Sequence, residues 1–363
     1  MANREVPGAL SLGSPSVLSY FESLCETFHA SARAHGGPID RHYEIGGVRV
    51  LVRLATPALG AITRALDHLG APAGDTTVAV YVGEGDAAPA PPFLATAAEW
   101  SARQRPAGAN ADGPLRALYV GTTGALSMLD LPRRRAVFWR NSKRPFTFEG
   151  AAPLLHIVTW WLTRHGRYPV HAAAVGTPAG GVLVAGTGGA GKSTTALACL
   201  DSPLRYAGDD YVVISHDPPF VHSLYRSVRV RPEQLVKLPR VAEALGDNGT
   251  VDFGKVLLYL DGTCTEKLIA GFPLRAALTV RVTGQLDSRL VPVPAARTLD
   301  VLIPSSVIEL PGLRREGVQG IVRIVRGVPN YVLEAGTDLA QIPRVISRLL
   351  DGLRTPWRPP ASA

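Results

Sequence analysis

Apolar residues recur at helical spacing in two stretches of the first half of the chain. In residues 14–33 they fall every three or four positions, with Pro15 suited to the first turn. The residues of this stripe are Leu18, Phe21, Leu24 and Phe28. Residues 153–166 repeat the pattern and end at a glycine. Both stretches are predicted to be helices with one face packed on a core, and Trp160 and Trp161 are interpreted as core residues of the second.

Short apolar runs bounded by glycine or polar residues predict strands. Before residue 150 they lie at 48–55, 76–83, 116–123 and 135–141. A Pro/Ala-rich segment at 84–113 predicts a surface loop between them. We therefore expect residues 1–150 to form a separate mixed α/β domain.

Residues 168–214 alternate predicted strands with a loop and a helix, and a second domain is predicted over residues 151–354. Strands are expected at 168–175, 181–186 and 205–214. The sequence GTPAG is expected to close a hairpin between the first two, and a helix to join the last two. Residues 355–363, TPWRPPASA, predict a disordered tail.

The net charge of +8 raises the question of a nucleic-acid partner. The arginines are spread along the chain, and the densest runs are only residues 133–135 and 314–315. Aromatic residues make up 7% of the chain and do not interleave with these runs, as a single-strand binder would require. We therefore predict no nucleic-acid partner.

Composition also bears on the compartment of the protein. No apolar run of 18 residues lacks charges or glycines, so no membrane span is predicted. The first residues lack the basic-then-apolar layout of a secretory signal. Cys25, Cys199 and Cys264 are odd in number and form no CxxC pair, which indicates a reducing cytoplasm and no structural zinc.

One motif carries strong chemical information. Residues 186–193, here called the glycine loop, fit the P-loop (Walker A) pattern G-x-x-x-x-G-K-[ST] and lie between a predicted strand and a predicted helix. The predicted nucleotide-binding residues are Gly186, Thr187, Gly188, Gly189, Ala190, Gly191, Lys192, Ser193 and Thr194. Glycines let successive backbone N–H groups surround the phosphates, and the start of the helix adds partial positive charge. Lys192 is expected to reach the β- and γ-phosphates and Ser193 to ligate Mg²⁺. The loop does not choose between adenine and guanine nucleotides, although the sequence contains no NKxD motif to bind guanine.

Two adjacent carboxylates follow the next predicted strand. Asp209 and Asp210 are expected near the glycine loop because the helix after the loop returns the chain alongside the first strand. Two such groups can divide the work, with one on the metal and the other taking the proton of an attacking hydroxyl. The alternative is that one aspartate binds metal and the other only caps a turn.

His171 lies on the strand predicted to pair beside the strand of the glycine loop. There it would hydrogen-bond an aspartate and orient it or tune its basicity. The alternative is an ordinary core histidine.

The segments PVHAAAVG, GVLVAGTGGAGKSTTALACL and LRYAGDDYVVI together resemble the catalytic core of the HPr kinase/phosphorylase family. The resemblance spans roughly residues 165–345 and extends to kinases of this fold that modify peptides such as lasso peptides. It implies an α/β P-loop kinase core of the HPr kinase C-terminal type, with Asp210 as general base, Asp209 beside the metal and His171 as their partner. Relatives of this fold assemble into rings, so it also implies a homo-oligomer.

The chain departs from that family in two respects. Residues 1–150 do not resemble its amino-terminal domain, and the family's phosphorolysis loop is not recognisable after the aspartates. We therefore expect an ATP- and Mg²⁺-dependent kinase acting on a serine-type hydroxyl of a peptide or protein, with residues 1–150 recognising that acceptor. Two alternatives stay open: a kinase of a free amino acid or sugar, and a nucleotide-binding regulatory module without phosphotransfer.

Other polar residues are weaker candidates. Arg229 and Arg231 would share one face of a strand, where they would bind phosphate or an acidic acceptor, or merely be solvated. Lys255 and Lys267 are weaker versions of the same idea. Residues 306–309, SVIE, match a capping box and predict the start of a helix.

Overall fold

The computed structural model describes residues 15–85, 113–120, 123–142, 148–245, 250–252, 254–310, 312–313 and 315–353. Nearly all of the predicted loop 84–113, and all of the predicted tail 355–363, lie outside these residues. The chain divides into two compact units. The first comprises Met1–Arg64 and Gly70–Trp161, and the second Ala65–Leu69 and Leu162–Ala363.

The first unit is built on a mixed sheet of six strands. Its elements are α1 (Pro15–Ala34), β1 (Ile39–Ile45), β2 (Val48–Leu54), a 3-10 helix (Pro57–Leu69), β3 (Val78–Glu84), β4 (Leu115–Val120), β5 (Ala125–Asp130), β6 (Arg135–Arg140), α2 (Phe148–Ala151) and α3 (Leu155–Thr163). The 3-10 helix and α3 both continue into the second unit. The strand order is β1-β2-β3-β6-β5-β4, with β3 parallel to both of its neighbours.

The apolar pattern of the sequence explains this unit. Phe21 and Phe28 of α1 are fully buried, and α1 packs against β3 and β6. Strand β2 buries every second residue, as a strand with one face on a core should. The indole N–H of Trp161 donates to the hydroxyl of Thr77, so this buried tryptophan has its polar partner. The predicted helix at 14–33 and the predicted strands are confirmed to within a few residues.

The second unit carries the remaining elements. They are β7 (Arg167–Val170), β8 (Ala173–Thr177), β9 (Gly180–Ala185), α4 (Lys192–Ala198), a 3-10 helix (Cys199–Asp201), β10 (Arg205–Gly208), β11 (Val212–Ser215), β12 (Phe220–His222), β13 (Ser227–Val230), α5 (Pro232–Leu235), α6 (Pro239–Leu245), β14 (Thr250–Asp252), β15 (Lys255–Tyr259), a 3-10 helix (Gly262–Lys267), β16 (Gly271–Val282), β17 (Arg289–Pro292), α7 (Ala295–Glu309), α8 (Arg315–Arg326), β18 (Asn330–Ala335) and α9 (Gln341–Gly352).

The long strand β16 organises the main sheet of this unit. The order is β10-β8-β9-β16-β12-β11-β7, and β18 also pairs with β16, followed by β17. Strands β9 and β18 both run parallel to β16. Val182 and Val184 of β9 share a buried core with Ile342 and Ile346 of α9. Strands β13, β15 and β14 form a separate small sheet.

Two predicted strands of this unit are each broken in two, which corrects the sequence-based prediction. Residues 171–172 separate β7 from β8, and residues 209–211 separate β10 from β11. Strand β10 pairs with β8, and β11 pairs with β7. The break between β7 and β8 therefore lies opposite the break between β10 and β11. The hairpin closed by residues 178–179 joins β8 to β9, so His171 lies before the paired strand, not on it.

The fold is mixed α/β, as predicted, with several sheets and helices. The three cysteines are free and buried. Among the described residues, every helix is too short or too polar to cross a membrane.

Candidate functional site

The glycine loop connects the end of β9 to the start of α4, in the strand, loop, helix order expected from the sequence. Gly189 and Gly191 have φ of +79° and +101°, which few other residues tolerate. Thr187, Gly188 and Gly189 are exposed to solvent. A Cβ added at Gly188 would meet nothing within 4 Å, so the loop surrounds open space.

Lys192 folds back over this loop. Its Nζ donates to the carbonyl oxygen of Gly186 at 2.8 Å and to that of Thr187 at 3.4 Å. Burial lowers the pKa of Lys192, while the charges of Asp209, Asp210 and, more weakly, Glu309 raise it. The ammonium group is therefore held at the loop, between the loop carbonyls and the aspartates.

The carboxylate of Asp209 is buried beside Ser193 and Lys192. Its exposed fraction is 2%, and neither carboxylate oxygen accepts a hydrogen bond from the described residues. Burial and the charge of Asp210 raise its pKa to about 6, although Ser193 lies near enough to lower it. A desolvated, unpaired carboxylate beside the Ser193 hydroxyl is costly unless a cation binds there.

Asp210 occupies a strained turn. Its φ is +60°, and the N–H of Tyr211 donates to the carbonyl oxygen of Asp209 at 2.7 Å. A hydrogen bond between residues two apart, around a central residue with positive φ, is a γ-turn of the rare, strained kind. The turn ends β10 and leaves the Asp210 side chain 32% exposed, whereas Asp209 points into the protein.

His171 faces Asp210 across the two strand breaks. Its Nε2 lies 3.9 Å from Oδ1 of Asp210, the separation of an ion pair and not of a hydrogen bond. The backbone N–H of His171 donates to the hydroxyl of Ser306. Its ring lies 5.7 Å from that of Tyr211, and its Nδ1 has no hydrogen-bond partner among the described residues.

The groups around Asp210 set its protonation. Burial raises the pKa of Asp210, but His171, Lys255 and Arg229 together bring it below its ordinary value. Asp210 is therefore the ionised member of the pair at neutral pH, and Asp209 the one more easily protonated.

Of the four basic residues proposed from the sequence, two act on Asp210 and two make other contacts. Arg229 on β13 and Lys255 on β15 act on Asp210. Arg231 lies beyond the end of β13, with its side chain largely exposed and 3.8 Å from Glu233. Lys267 donates to the carbonyl oxygen of Ser202.

The capping box predicted at residues 306–309 is wrong. Helix α7 begins at Ala295 and continues through Pro304, so these residues form its last turn. Buried Ser306 accepts the hydrogen bond from His171, and the Glu309 carboxylate accepts one from the Tyr211 hydroxyl at 3.4 Å. A local capping pattern is a weak signal, and the packing of α7 on the sheet outweighs it.

Sequence reasoning also missed residues that support the site. Tyr211, Ser306 and Glu309 hold the turn and the histidine, and Gln234 donates to the hydroxyl of Thr194 at 3.1 Å. Only Tyr211, next to Asp210, carries a local signal. The others are brought in by pairings between residues far apart in sequence.

The residues present fit a divalent cation. Mg²⁺ prefers oxygen ligands and keeps several waters, so it needs only one or two protein groups beside the phosphates. The unpaired oxygens of Asp209, with Ser193 nearby, provide such a set. Among the described residues, no group of three or more His, Cys, Asp or Glu side chains forms a metal cage of its own.

The chain matches no protein-family model. No curated protein matches it in sequence. Among solved structures it is similar to the Hpr(Ser) kinase/phosphatase from Coxiella burnetii, at 13% identity and a TM-score of 0.28. The match covers 51% of this chain and 95% of that chain and is a distant structural resemblance.

Proposed function

We propose that this protein is a kinase that transfers the γ-phosphoryl group of ATP to a hydroxyl group. One observation carries the proposal: a partly exposed, ionised aspartate, Asp210, is held by a strained turn beside an open glycine loop and its lysine. Strain of this kind is retained where the surrounding structure imposes it, and it is concentrated at functional sites.

Asp210 suits the role of proton acceptor better than Asp209. Its carboxylate is 32% exposed, so an acceptor hydroxyl can reach it, and its pKa is lowered so that it is ionised at neutral pH. Asp209 is buried and shares its environment with Ser193. His171 is a positioning residue, because its ring faces Oδ1 of Asp210 and its backbone is tied to α7.

The reaction follows from these positions. The acceptor oxygen attacks the γ-phosphorus while the bond from that phosphorus to the bridging oxygen breaks, and ADP leaves with its electron pair. Asp210 takes the hydroxyl proton and later returns it to water. Lys192 and the loop N–H groups stabilise the charge on the transferring group. Mg²⁺, held by Asp209 and Ser193, would supply neutralisation of phosphate charge.

The acceptor we favour is a serine-type hydroxyl on a peptide or protein, with the first unit of the chain recognising it. Asp210 lies where two strand pairs are interrupted, and 32% of its side chain is exposed. An exposed general base suits a hydroxyl carried on a larger molecule, whereas a free metabolite usually binds in an enclosed pocket.

The test is phosphotransfer by the purified full chain with Mg²⁺ and ATP, offered pooled serine peptides, proteins and small hydroxyl metabolites. Mass spectrometry identifies any phosphorylated product. Asp210→Asn should lower transfer by at least about 100-fold, the usual contribution of a general base, while ATP affinity changes little.

Asp217→Asn is the matched control. Asp217 also has a positive φ, of 63°, and its side chain is 86% exposed at a separate turn. Equal activity of wild type and Asp210→Asn would refute the role of Asp210. ATP binding with no modified acceptor in any pool would favour a regulatory module instead.

A further inference from the structure

A cavity of about 580 Å³ opens beside the glycine loop. Gly186 and Thr187 line one end of it, Val301 of α7 lines a side, and residues of β16, β17 and β18 line the rest. Its volume lies within the range of about 300–1,000 Å³ typical of small-molecule and cofactor sites. None of the catalytic steps described above uses it.

The cavity lies on the opposite side of β9 from the aspartates. Strand β9 has β8 on one side, with β10 and the aspartates beyond it, and β16 on the other, followed by β18 and β17. A phosphate chain seated on the glycine loop therefore has Asp210 towards one end and the cavity towards the other.

The cavity floor is defined by strand register. Thr279 of β16 pairs with Val332 of β18, and Val332 pairs with Val291 of β17. Directly paired residues have their side chains on the same face of a sheet, so these three side chains form a row. Their neighbours Val280 and Leu333 belong to the buried core on the other face. This row is apolar apart from one hydroxyl, whereas the charged residues Arg281, Arg297 and Glu334, with Val280, also line the cavity.

That hydroxyl belongs to Thr279. Thr279 is 6% exposed, and its Oγ1 makes no hydrogen bond among the described residues. Nearly all buried polar groups in proteins are hydrogen-bonded, so each exception requires an explanation. A ligand in the cavity that presents a polar atom to Thr279 supplies one.

We propose that this cavity binds the nucleoside part of the nucleotide, with the base against the valines and one hydrogen bond to Thr279. The proposal rests on the proposed function, because it assumes that phosphates occupy the glycine loop. The valines suit the flat face of a purine, and the polar and charged side chains that also line the cavity, Thr279, Arg281, Arg297 and Glu334, suit its polar edges and the ribose. The arrangement places the γ-phosphate towards Asp210 and the nucleoside away from it.

The experiment measures the contribution of the nucleoside to binding separately from that of the phosphates. Calorimetry measures the affinities of the full chain for ADP and for inorganic tripolyphosphate, both with Mg²⁺. Val301→Trp fills the cavity, and Thr279→Val removes the hydroxyl at nearly constant shape. Leu286→Trp, at an exposed leucine outside the cavity lining, is the control for adding a surface tryptophan.

Val301→Trp should weaken ADP binding by more than about tenfold, and Thr279→Val by about two- to tenfold. Tripolyphosphate should bind both variants, and ADP the control, as in wild type. Thermal melts check folding, and if Val301→Trp does not fold, Thr279→Val decides the matter alone.

Unchanged ADP affinity in the cavity variants would overturn the inference, as would an equal loss of tripolyphosphate binding. A wild type that binds no nucleotide would overturn the inference and the proposed function together. The wild-type protein could also show the expected affinities and phosphorylate no acceptor. That result would support the nucleoside site and refute the proposed kinase activity.

Discussion

Replacing Asp209 with asparagine should make the metal-free protein more stable, although Asp209 is a predicted functional residue. The reason is that its carboxylate is buried and neither oxygen accepts a hydrogen bond among the described residues. A buried charge without a partner opposes folding. The asparagine is nearly isosteric and neutral, so it removes the charge and preserves the shape.

The magnitude follows from the pKa of Asp209, which rises from 3.8 to about 6. A rise of about two units corresponds to about 3 kcal/mol. The sign follows from proton linkage: the folded protein binds this proton more tightly than the unfolded chain, so stability falls as pH rises from about 4 to 6. An unpaired amide costs about 1 kcal/mol, so the net gain at pH 8 should be about 2 kcal/mol.

Hydrogen exchange with mass spectrometry measures this gain locally, because peptides from β9 and β10 report the opening of the second unit alone. In EDTA, Asp209→Asn should exchange more slowly than wild type at pH 8. At pH 5 protonation removes about half of the charge penalty, so the net advantage should fall below about 1 kcal/mol. Mg²⁺ with ATP should slow exchange in wild type more than in the variant. Asp217→Asn, at an exposed carboxylate, should show neither effect. A variant no more stable at pH 8, or a gain independent of pH, would refute the reasoning.

Two further changes test the packing of each unit. Burial lowers the pKa of His156 from 6.5 to about 4. As the pH falls from about 6.5 to about 4, the unfolded chain therefore binds a proton before the folded protein does. Up to about 3 kcal/mol of stability is lost over this pH range. His156→Phe should flatten this pH dependence in urea unfolding followed by tryptophan fluorescence, and an unchanged slope would contradict it. Gly320→Ala should destabilise the second unit by about 1–3 kcal/mol, because the new methyl group overlaps the Tyr168 ring. Gly352→Ala, with nothing within 4 Å, should be neutral or stabilising, and equal melting temperatures for the two would count against the packing argument.

The sequence predicted the elements of the second unit well where the signal is local. The glycine loop follows an apolar strand and precedes a helix, and the aspartates come one strand later, so their approach to Lys192 follows from chain order. The breaks at His171 and Asp210 are missed, because residues 168–175 and 205–214 are each interpreted as one strand although Gly208, Asp209 and Asp210 are turn-type residues. The positive φ of Asp210 is imposed by the pairing of β10 with β8 and of β11 with β7.

Other parts of the site depend on contacts between distant residues. Ser306 meets His171 across 135 positions of sequence, and its local pattern predicts a different role. Thr279 and Val332 become neighbours only through the parallel register of β16 and β18. No periodicity in either segment specifies that register, so the cavity was not predictable from the sequence.

The γ-turn at Asp210 also bears on how such an enzyme would lose its activity over evolutionary time. A positive φ is inexpensive only for glycine; it costs less for asparagine and aspartate than for longer or branched side chains, in which the strain is greatest. Glutamate, which would keep the charge, is therefore disfavoured, whereas asparagine keeps the turn and cannot accept the proton. A single aspartate-to-asparagine change would leave a folded, nucleotide-binding pseudoenzyme. Homologues with asparagine at this position are accordingly expected to be binding proteins derived from kinases.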